Sequence, residues 1–355
     1  MRTLHFVVPD SVDDPARPTG GNVYDRRVAR GLRSLGWSVH EHPVPGSWPT
    51  RDPQALGALS RVIEPIPDDA VALVDGLVAS AAADVLVGHT DRLQLVMLVH
   101  MPLGHRPTGG AAEDIRTREG AVLEAAAAVI TTSEWSRRRL LELYPLAADR
   151  IHVAEPGVDA AELATGSEAG SRLLCVAAVI PEKGHDILLE ALRTVSDLSW
   201  RCACVGRVDR DPAFVEALRR RSLDVGLEDR VDLVGPRIGA ELDRCYADAD
   251  LLVLASRAET FGMVITEALA HGLPVVAAEV GGVSEALGYG AEGARPGLLV
   301  APDDPAALGA AVRRWLSEGR LRGRLRRQAL RRRDSLRPWS RTAAVLAGAL
   351  GGAFR

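Results

Sequence analysis

Glu259 and Glu267 bracket a glycine turn within Ser256–Val276, SRAETFGMVITEALAHGLPVV. An apolar run, Leu251–Ala255, precedes the turn and reads as a buried strand. Val264, Ile265, Ala268 and Leu269 then recur with helical spacing, so a helix starts just after Gly262. Gly272 and Pro274 stop it, and Val275–Ala278 begins another strand. A helix start offers unpaired N–H groups, here those of Phe261, Gly262, Met263 and Val264, and these together with the dipole favour a phosphate. A carboxylate repels phosphate but accepts hydrogen bonds well from sugar hydroxyls. Amides between two acceptors therefore suit a ligand with a diphosphate in the middle and a sugar at each end, as in a nucleotide sugar. The plainer reading is capping, since glutamates are common at helix starts.

The whole string tips the balance. The pattern E-x-F-G-x-x-x-x-E followed by A-x-x-x-G-x-P-V-V is carried by Glu259, Phe261, Gly262, Glu267, Ala268, Gly272, Pro274, Val275 and Val276. It resembles the E-x7-E region of retaining glycosyltransferases of family 4. The resemblance implies an α/β chain of GT-B type, with two doubly wound Rossmann-like domains facing a central cleft. It implies transfer of a hexosyl or N-acetylhexosaminyl group from a nucleotide sugar, with retention and without a metal or other cofactor. By the same resemblance, Glu267 holds the ribose, Glu259 the sugar hydroxyls, and the amides of Gly262 to Val264 the departing diphosphate.

Of 43 basic residues, 42 are arginine and Lys183 is the single lysine. A compact ammonium that fits between phosphate oxygens is a reason to keep one. It lies in LLCVAAVIPEKGHDILLEA, Leu173–Ala191, a buried strand, a turn and then a helix. This run resembles the family's second phosphate motif, G-R-x-x-x-x-K-G. Lys183 and Gly184 match, whereas Ala177 and Ala178 stand at the glycine and the arginine. One of two phosphate cations is missing; Arg207, after the strand ending at Val205, and Arg257, beside Glu259, are the candidates to compensate, and the sequence does not choose between them.

Further candidates lie elsewhere. Gly20 and Gly21, in PTGGNVY before a helical stretch, let the backbone approach an anion closely. The wording resembles the loop of inositol-phosphate N-acetylglucosaminyltransferases, one residue shorter after the glycines; a flexible loop with an Asn cap is the alternative. His100 ends the apolar run Leu95–Val99, and family members carry a histidine there, near the sugar and the acceptor. A satisfied structural histidine is the alternative. Gly104–Gly110 reads as a mobile acceptor loop. Arg237 and Ile238 follow the strand Val231–Val234, where the family reads the nucleobase, uridine most often and guanosine next. His271 reads as surface.

To position these residues, strands and helices must alternate. In the first half, Leu4–Val8, Val39–His42, Val71–Asp75, Leu95–Val99 and Ala128–Thr131 read as strands, and Val23–Leu35, Ile115–Ala127 and Trp135–Leu143 as helices. A second series of strands follows a Gly/Ser-rich stretch: Leu173–Val179, Arg201–Val205, Val231–Val234, Leu251–Leu254, Val275–Ala278 and Gly297–Val300. The expected division is an acceptor-side domain over 1–160, a linker over 161–171, a nucleotide-sugar domain over 172–336, and a terminal helix over 337–355. Ten arginines between Arg320 and Arg341 form either a solvated basic face or a contact with a membrane surface or anionic acceptor. The resemblance implies that the last helix packs back on the first domain.

Composition sets the outer limits. Hydrophobic content of 47% and charged content of 25% are those of a globular protein. A net charge of −4 gives no reason to expect nucleic acid, and no apolar run reaches membrane-spanning length. The N-terminus runs straight into Leu4–Val8 without a signal peptide, so a cytoplasmic placement is expected. Cys175, Cys202, Cys204 and Cys245 lie in or beside apolar segments with no histidine nearby in sequence to complete a zinc site, so they read as buried free thiols. No G-x-G-x-x-G follows the first strand, which argues against a nicotinamide dehydrogenase. The expectation is a glycosyltransferase moving a sugar from a UDP-sugar, or a GDP-sugar, to a small-molecule or lipid-linked acceptor. Ala178 supports the competing expectation, a nucleotide-sugar-binding protein with little or no activity.

Overall fold

The structure, a computed structural model, describes residues 2–14, 17–105, 110–290 and 293–353, with backbone alone for 110–112 and 353. Residues 106–109 of the expected acceptor loop lie outside the described residues. The chain divides into two compact units, Met1–Gly157 with Arg337–Arg355, and Val158–Leu336.

The sheet of the first unit holds β1 Thr3–Pro9, β2 Ser38–Val44, β3 Val71–Asp75, β4 Gln94–Val99, β5 Ala128–Thr131 and β6 Ile151–Val153. Every pairing is parallel, in the order β2-β1-β3-β4-β5-β6. The second unit holds β7 Arg172–Val176, β8 Arg201–Val205, β9 Val231–Gly235, β10 Leu251–Leu254, β11 Val275–Ala278 and β12 Gly297–Val300. These are also parallel, in the order β12-β11-β10-β7-β8-β9. Helices on both faces bury the central strands completely, which is why VALVD, LLVL and VVAA are continuous apolar runs rather than alternating ones. The strand order reverses between β1 and β3 in the first sheet and between β7 and β10 in the second. Ligands of open α/β sheets bind at such switch points, outside the carboxyl ends of the strands.

Each unit has its own core. In the first, Leu4, Phe6, Val28 and Leu32 pack with Leu346 and Leu350 of the last helix, Trp339–Ala353. That helix lies so close to the helix Gly20–Ser34 that a Cβ on Gly31 would overlap the Cβ of Ala343. Thr342 Oγ1 donates to the Glu155 carbonyl at 2.7 Å. In the second unit, Trp315 is fully buried and its indole N–H donates to the Gly170 carbonyl at 2.7 Å. The segment 161–171 has neither helix nor strand, yet it is fastened to this unit. Ala164 N donates to His271 O, and Ser167 Oγ donates to the fully buried Asp250 at 2.6 Å.

The helix Gly319–Arg333 spends several of its arginines internally. Arg326 pairs with Asp250 at 2.9 Å and lies over the Trp315 ring, and Arg322 donates to the Trp315 and Leu316 carbonyls. Among the described residues no helix is long and apolar enough to cross a membrane.

Candidate functional site

In the second unit the loops after β7 and β10 meet at the switch point. A short turn, Pro181–Lys183, ends in Gly184 with φ 66°, and a Cβ there would overlap the Ala255 carbonyl. Only glycine combines that left-handed backbone with so close an approach. The loop thereby delivers Lys183 Nζ to Glu259 Oε1, a salt bridge of 2.6 Å between side chains 26% and 11% exposed. Ser256 Oγ donates to the same oxygen at 2.9 Å. Gly281 and Gly282 close the third side. Gly282 N donates to the Glu259 carbonyl at 3.0 Å, and at Gly281, φ 54°, a Cβ would overlap that same carbonyl.

The helix Met263–Ala270 starts beside this pair, and its N-cap, Gly262, supplies no side-chain hydrogen bond to the first-turn amides. Ile265 N donates to the Gly262 carbonyl at 2.9 Å, and a helix start without a side-chain cap is the kind of arrangement that can bind an anion. The Phe261 side chain is buried in the core, so it does not face the turn. Glu267 accepts from the Tyr246 hydroxyl at 2.7 Å, and Tyr246 stacks on His271 at 5.2 Å. Burial, and then the adjacent carboxylate, push the Tyr246 hydroxyl well above its ordinary pKa, so it donates.

His271 is therefore not a surface residue. It is buried, its Nδ1 lies 2.9 Å from the Glu162 carbonyl, and burial lowers its pKa. Its helix end is covered by the segment 161–171, which a reading of local pattern could not anticipate.

Arg257 forks onto Asp186 at 2.9 and 2.7 Å, reaches Asp303 at 2.7 Å, and donates to the Pro181 carbonyl. It clasps the Lys183 loop to the loop after β10 rather than standing loose as a second phosphate cation. Arg207 is bidentate on Asp209 at 2.9 and 2.8 Å. Arg237 and Ile238 follow β9; Ile238 is exposed, and Arg237 donates to the Pro236 carbonyl. Two D-x-D triplets belong to this unit, and three of their carboxylates have structural partners. Asp209 holds Arg207, Asp211 caps the helix Pro212–Asp224, and Asp250 holds Ser167, Arg172 N and Arg326.

The cysteines are free thiols as expected, with Cys175, Cys202 and Cys204 buried and Cys245 only partly so, but a histidine does reach them. β7 and β8 put Cys175 opposite Cys204, and His185 Nε2 comes within 3.8 Å of Cys175 Sγ. These three buried groups place ligating atoms within 4.8 Å of one another. His185 is ten residues from Cys175, and only the turn at Gly184 folds it back over the strand.

In the first unit the helix begins at Gly20, three residues earlier than its apolar spacing suggests, and Thr19 rather than an asparagine caps it. Asn22 instead donates from its side chain to the Ser11 carbonyl at 3.0 Å. Gly20 and Gly21 thus form the first helical turn, and a Cβ on Gly21 would lie 3.4 Å from the His100 ring. His100 follows β4. Its Nε2 lies 2.8 Å from Asp25 Oδ1 and 3.4 Å from Asp75 Oδ2, with the acids 2% and 3% exposed and the ring 16%. Burial alone would lower the His100 pKa, but Asp25 and then Asp75 more than reverse this, and the ring titrates above its ordinary value. Burial, with the Asp25 charge, pushes Asp75 up to about 7. Glu119 ties down the chain after His100: it accepts from Leu103 N at 2.8 Å, Gly104 N at 2.7 Å and the Tyr144 hydroxyl at 2.6 Å.

Comparison with known proteins agrees with both halves. Residues 18–162 match Glycosyltransferase Family 4, and residues 170–318 match Glycosyl transferases group 1. The chain is made of family 4 and group 1 glycosyltransferase domains. It is 32% identical over 266 residues to D-inositol 3-phosphate glycosyltransferase 1 of Catenulispora acidiphila, covering 69% of this chain and 61% of that protein. It is 30% identical over 236 residues to mannosylfructose-phosphate synthase of Agrobacterium fabrum, covering 61% and 51%. The chain thus spans between 51% and 61% of the length of these relatives. Sucrose-phosphate synthase from Thermosynechococcus elongatus superposes with a TM-score of 0.82 at 21% identity, over 100% of this chain and 99% of that one. Anabaena HepE, solved with UDP and glucose, gives 0.79 at 18%, over 99% and 100%. These likenesses establish the GT-B fold. Within these glycosyltransferase domains, Ser256, Tyr246, Asp186, Gly281, Asp25 and Asp75 are the site neighbours that motif spacing missed.

Proposed function

We propose that the protein moves a sugar from a nucleotide diphosphate sugar to a small-molecule or lipid-linked acceptor, with retention and without a metal. The observation that carries this reading is the Lys183–Glu259 pair beside an uncapped helix start, at the switch point of the second sheet. Charge develops on the leaving diphosphate as the glycosidic bond breaks. Groups already aimed at that charge lower the barrier without having to reorganise. Lys183 and the amides of Gly262 to Val264 take that part, which leaves no electrostatic role that a divalent metal must fill. Glu267, steadied by Tyr246, receives the ribose, and Glu259 the hydroxyls of the transferred sugar. His100, lying against Gly21, serves the reacting face. Arg237 and Ile238 lie where the base is read. UDP-sugars are favoured over GDP-sugars, in keeping with the UDP bound by the structurally similar HepE.

A second reading, a nucleotide-sugar binder with weak or no turnover, has one specific observation behind it. Ala178 stands where a cation was expected, and Arg257 is held by Asp186 and Asp303. Release of UDP or GDP from a panel of nucleotide sugars, with EDTA present and with and without acceptors, separates the two. Acceptor-dependent release that falls at least a hundredfold in Lys183→Ala and Glu259→Ala supports the transferase. Donor binding with no release across a broad acceptor panel supports the binder.

A further inference from the structure

Two buried carboxylates converge on one nitrogen of His100, and that arrangement is expensive. Asp25 projects from the helix Gly20–Ser34, and Asp75 closes β3. One oxygen of Asp75 caps the next helix through Leu77 N at 2.8 Å and Val78 N at 3.4 Å, and the other turns to His100. Burying two acids beside each other costs desolvation and mutual repulsion, and helix capping accounts for only one oxygen of Asp75. Packing alone therefore does not account for the pair. The ring is packed on other sides too: Gly21 lies against it and Tyr24 meets it edge-on at 5.2 Å, while Thr132 Oγ1 donates to the His100 backbone carbonyl at 3.5 Å.

A carboxylate can only accept from Nε2, so Nε2 must carry a proton. The nitrogen left to change its protonation, and to meet anything bound, is Nδ1. We propose that Asp25 and Asp75 are positioning residues that lock the proton on Nε2 of His100 and hold Nδ1 as a charged N–H donor toward a ligand oxygen. This rests on the reading of His100 as a site residue. Asp25 and Asp75 are the charges acting on the ring, and Tyr24 is the other titratable group against it. Asp25 lies nearer Nε2, at 2.8 Å against 3.4 Å for Asp75, and burial together with the Asp25 charge raises Asp75 to about 7. With two acids so placed, the donor form of Nδ1 survives to a higher pH than in a free imidazole. It suits an oxygen-rich ligand group, a phosphate or paired hydroxyls, rather than a cationic one.

The test is an NMR titration of the histidines in wild-type protein over about pH 5–9, with His100 assigned by the signal lost in His100→Gln. Wild type should show Nε2–H in the neutral ring and a midpoint above that of an ordinary histidine. Asp25→Asn should lower the proton affinity of His100 about tenfold or more, one pH unit, and Asp75→Asn by less. The alkaline limb of the transfer pH profile should move to lower pH in the same order. An ordinary His100 midpoint in wild type, or a neutral ring protonated on Nδ1, overturns the proposal, and once His100 is assigned neither readout depends on the Asp25 and Asp75 variants folding. So does one divalent metal ion per chain that is lost in Asp25→Asn, since the acids would then be ligands. If His100→Gln transfers sugar at the wild-type rate while the NMR order holds, the site reading of His100 fails and the locked proton stands.

Discussion

Replacing Glu259 by glutamine should tighten the binding of bare UDP or GDP while nearly abolishing sugar transfer. Lys183 Nζ is 2.6 Å from Glu259 Oε1, so an incoming diphosphate must share an ammonium that already has an anion. Two unit charges about 4 Å apart interact by about 4 kcal/mol at an effective dielectric near 20. Solvent reaches a quarter of Lys183, and exposed ion pairs are worth at most about 1 kcal/mol, while charged hydrogen bonds reach about 1.5–3 kcal/mol. The diphosphate recovers part of that by pairing with the same ammonium. Glu259→Gln also removes a negative charge facing the phosphates, yet keeps an oxygen for Ser256. The expected gain is about 1–1.5 kcal/mol, close to tenfold in Kd. Calorimetry with EDTA at low and high salt measures it, and the gain should shrink as salt rises. Lys183→Met should weaken binding, and in the double variant the benefit of Glu259→Gln should vanish, because its cause is the freed lysine. Equal or weaker nucleotide binding in Glu259→Gln, with an unchanged unfolding transition, would refute the reasoning.

Two further outcomes follow from the clasp and the stack around this pair. Arg257→Lys keeps the charge but loses the fork onto Asp186, so unfolding stability in urea should fall by about 1–2 kcal/mol and nucleotide affinity about fivefold, although Arg257 has no assigned ligand contact. An unchanged affinity would show that the Lys183 loop holds itself. Tyr246→Phe removes the hydroxyl 2.7 Å from Glu267 and should cost nucleotide binding about 1 kcal/mol, with the circular dichroism spectrum unaltered. Wild-type affinity there would mean that Glu267 needs no support from Tyr246.

Much of the fold was legible because parallel strands buried on both faces are local signals. Val71–Asp75, Ala128–Thr131, Arg201–Val205, Leu251–Leu254, Val275–Ala278 and Gly297–Val300 coincide with observed strands. The three-residue β6 was missed, being too short to show a pattern, and so was the helix Pro53–Ile63, although Asp52 and Pro53 mark its start. Among candidate site residues, Lys183, Gly184, Glu259, Gly262 and Glu267 stood out because a loop that must turn tightly, or a helix that must begin, announces itself in its own residues.

Partner choice was not announced. Lys183 and Glu259 are 76 positions apart and meet because β10 pairs with β7. Asp25 and His100 are 75 apart and meet because β3, lying between β1 and β4, sets the order of the first sheet. The burial of His271, the reach of His185 to Cys175, and the capture of Arg257 by Asp186 and Asp303 have the same origin. By itself the sequence determined which segments are strands, where the glycine turns fall, and which residue types stand at their tips. Only the tertiary structure decided which tip meets which. Backbone preference and apolar periodicity act over a few residues, whereas strand order depends on how all the helices cover both faces of a sheet at once.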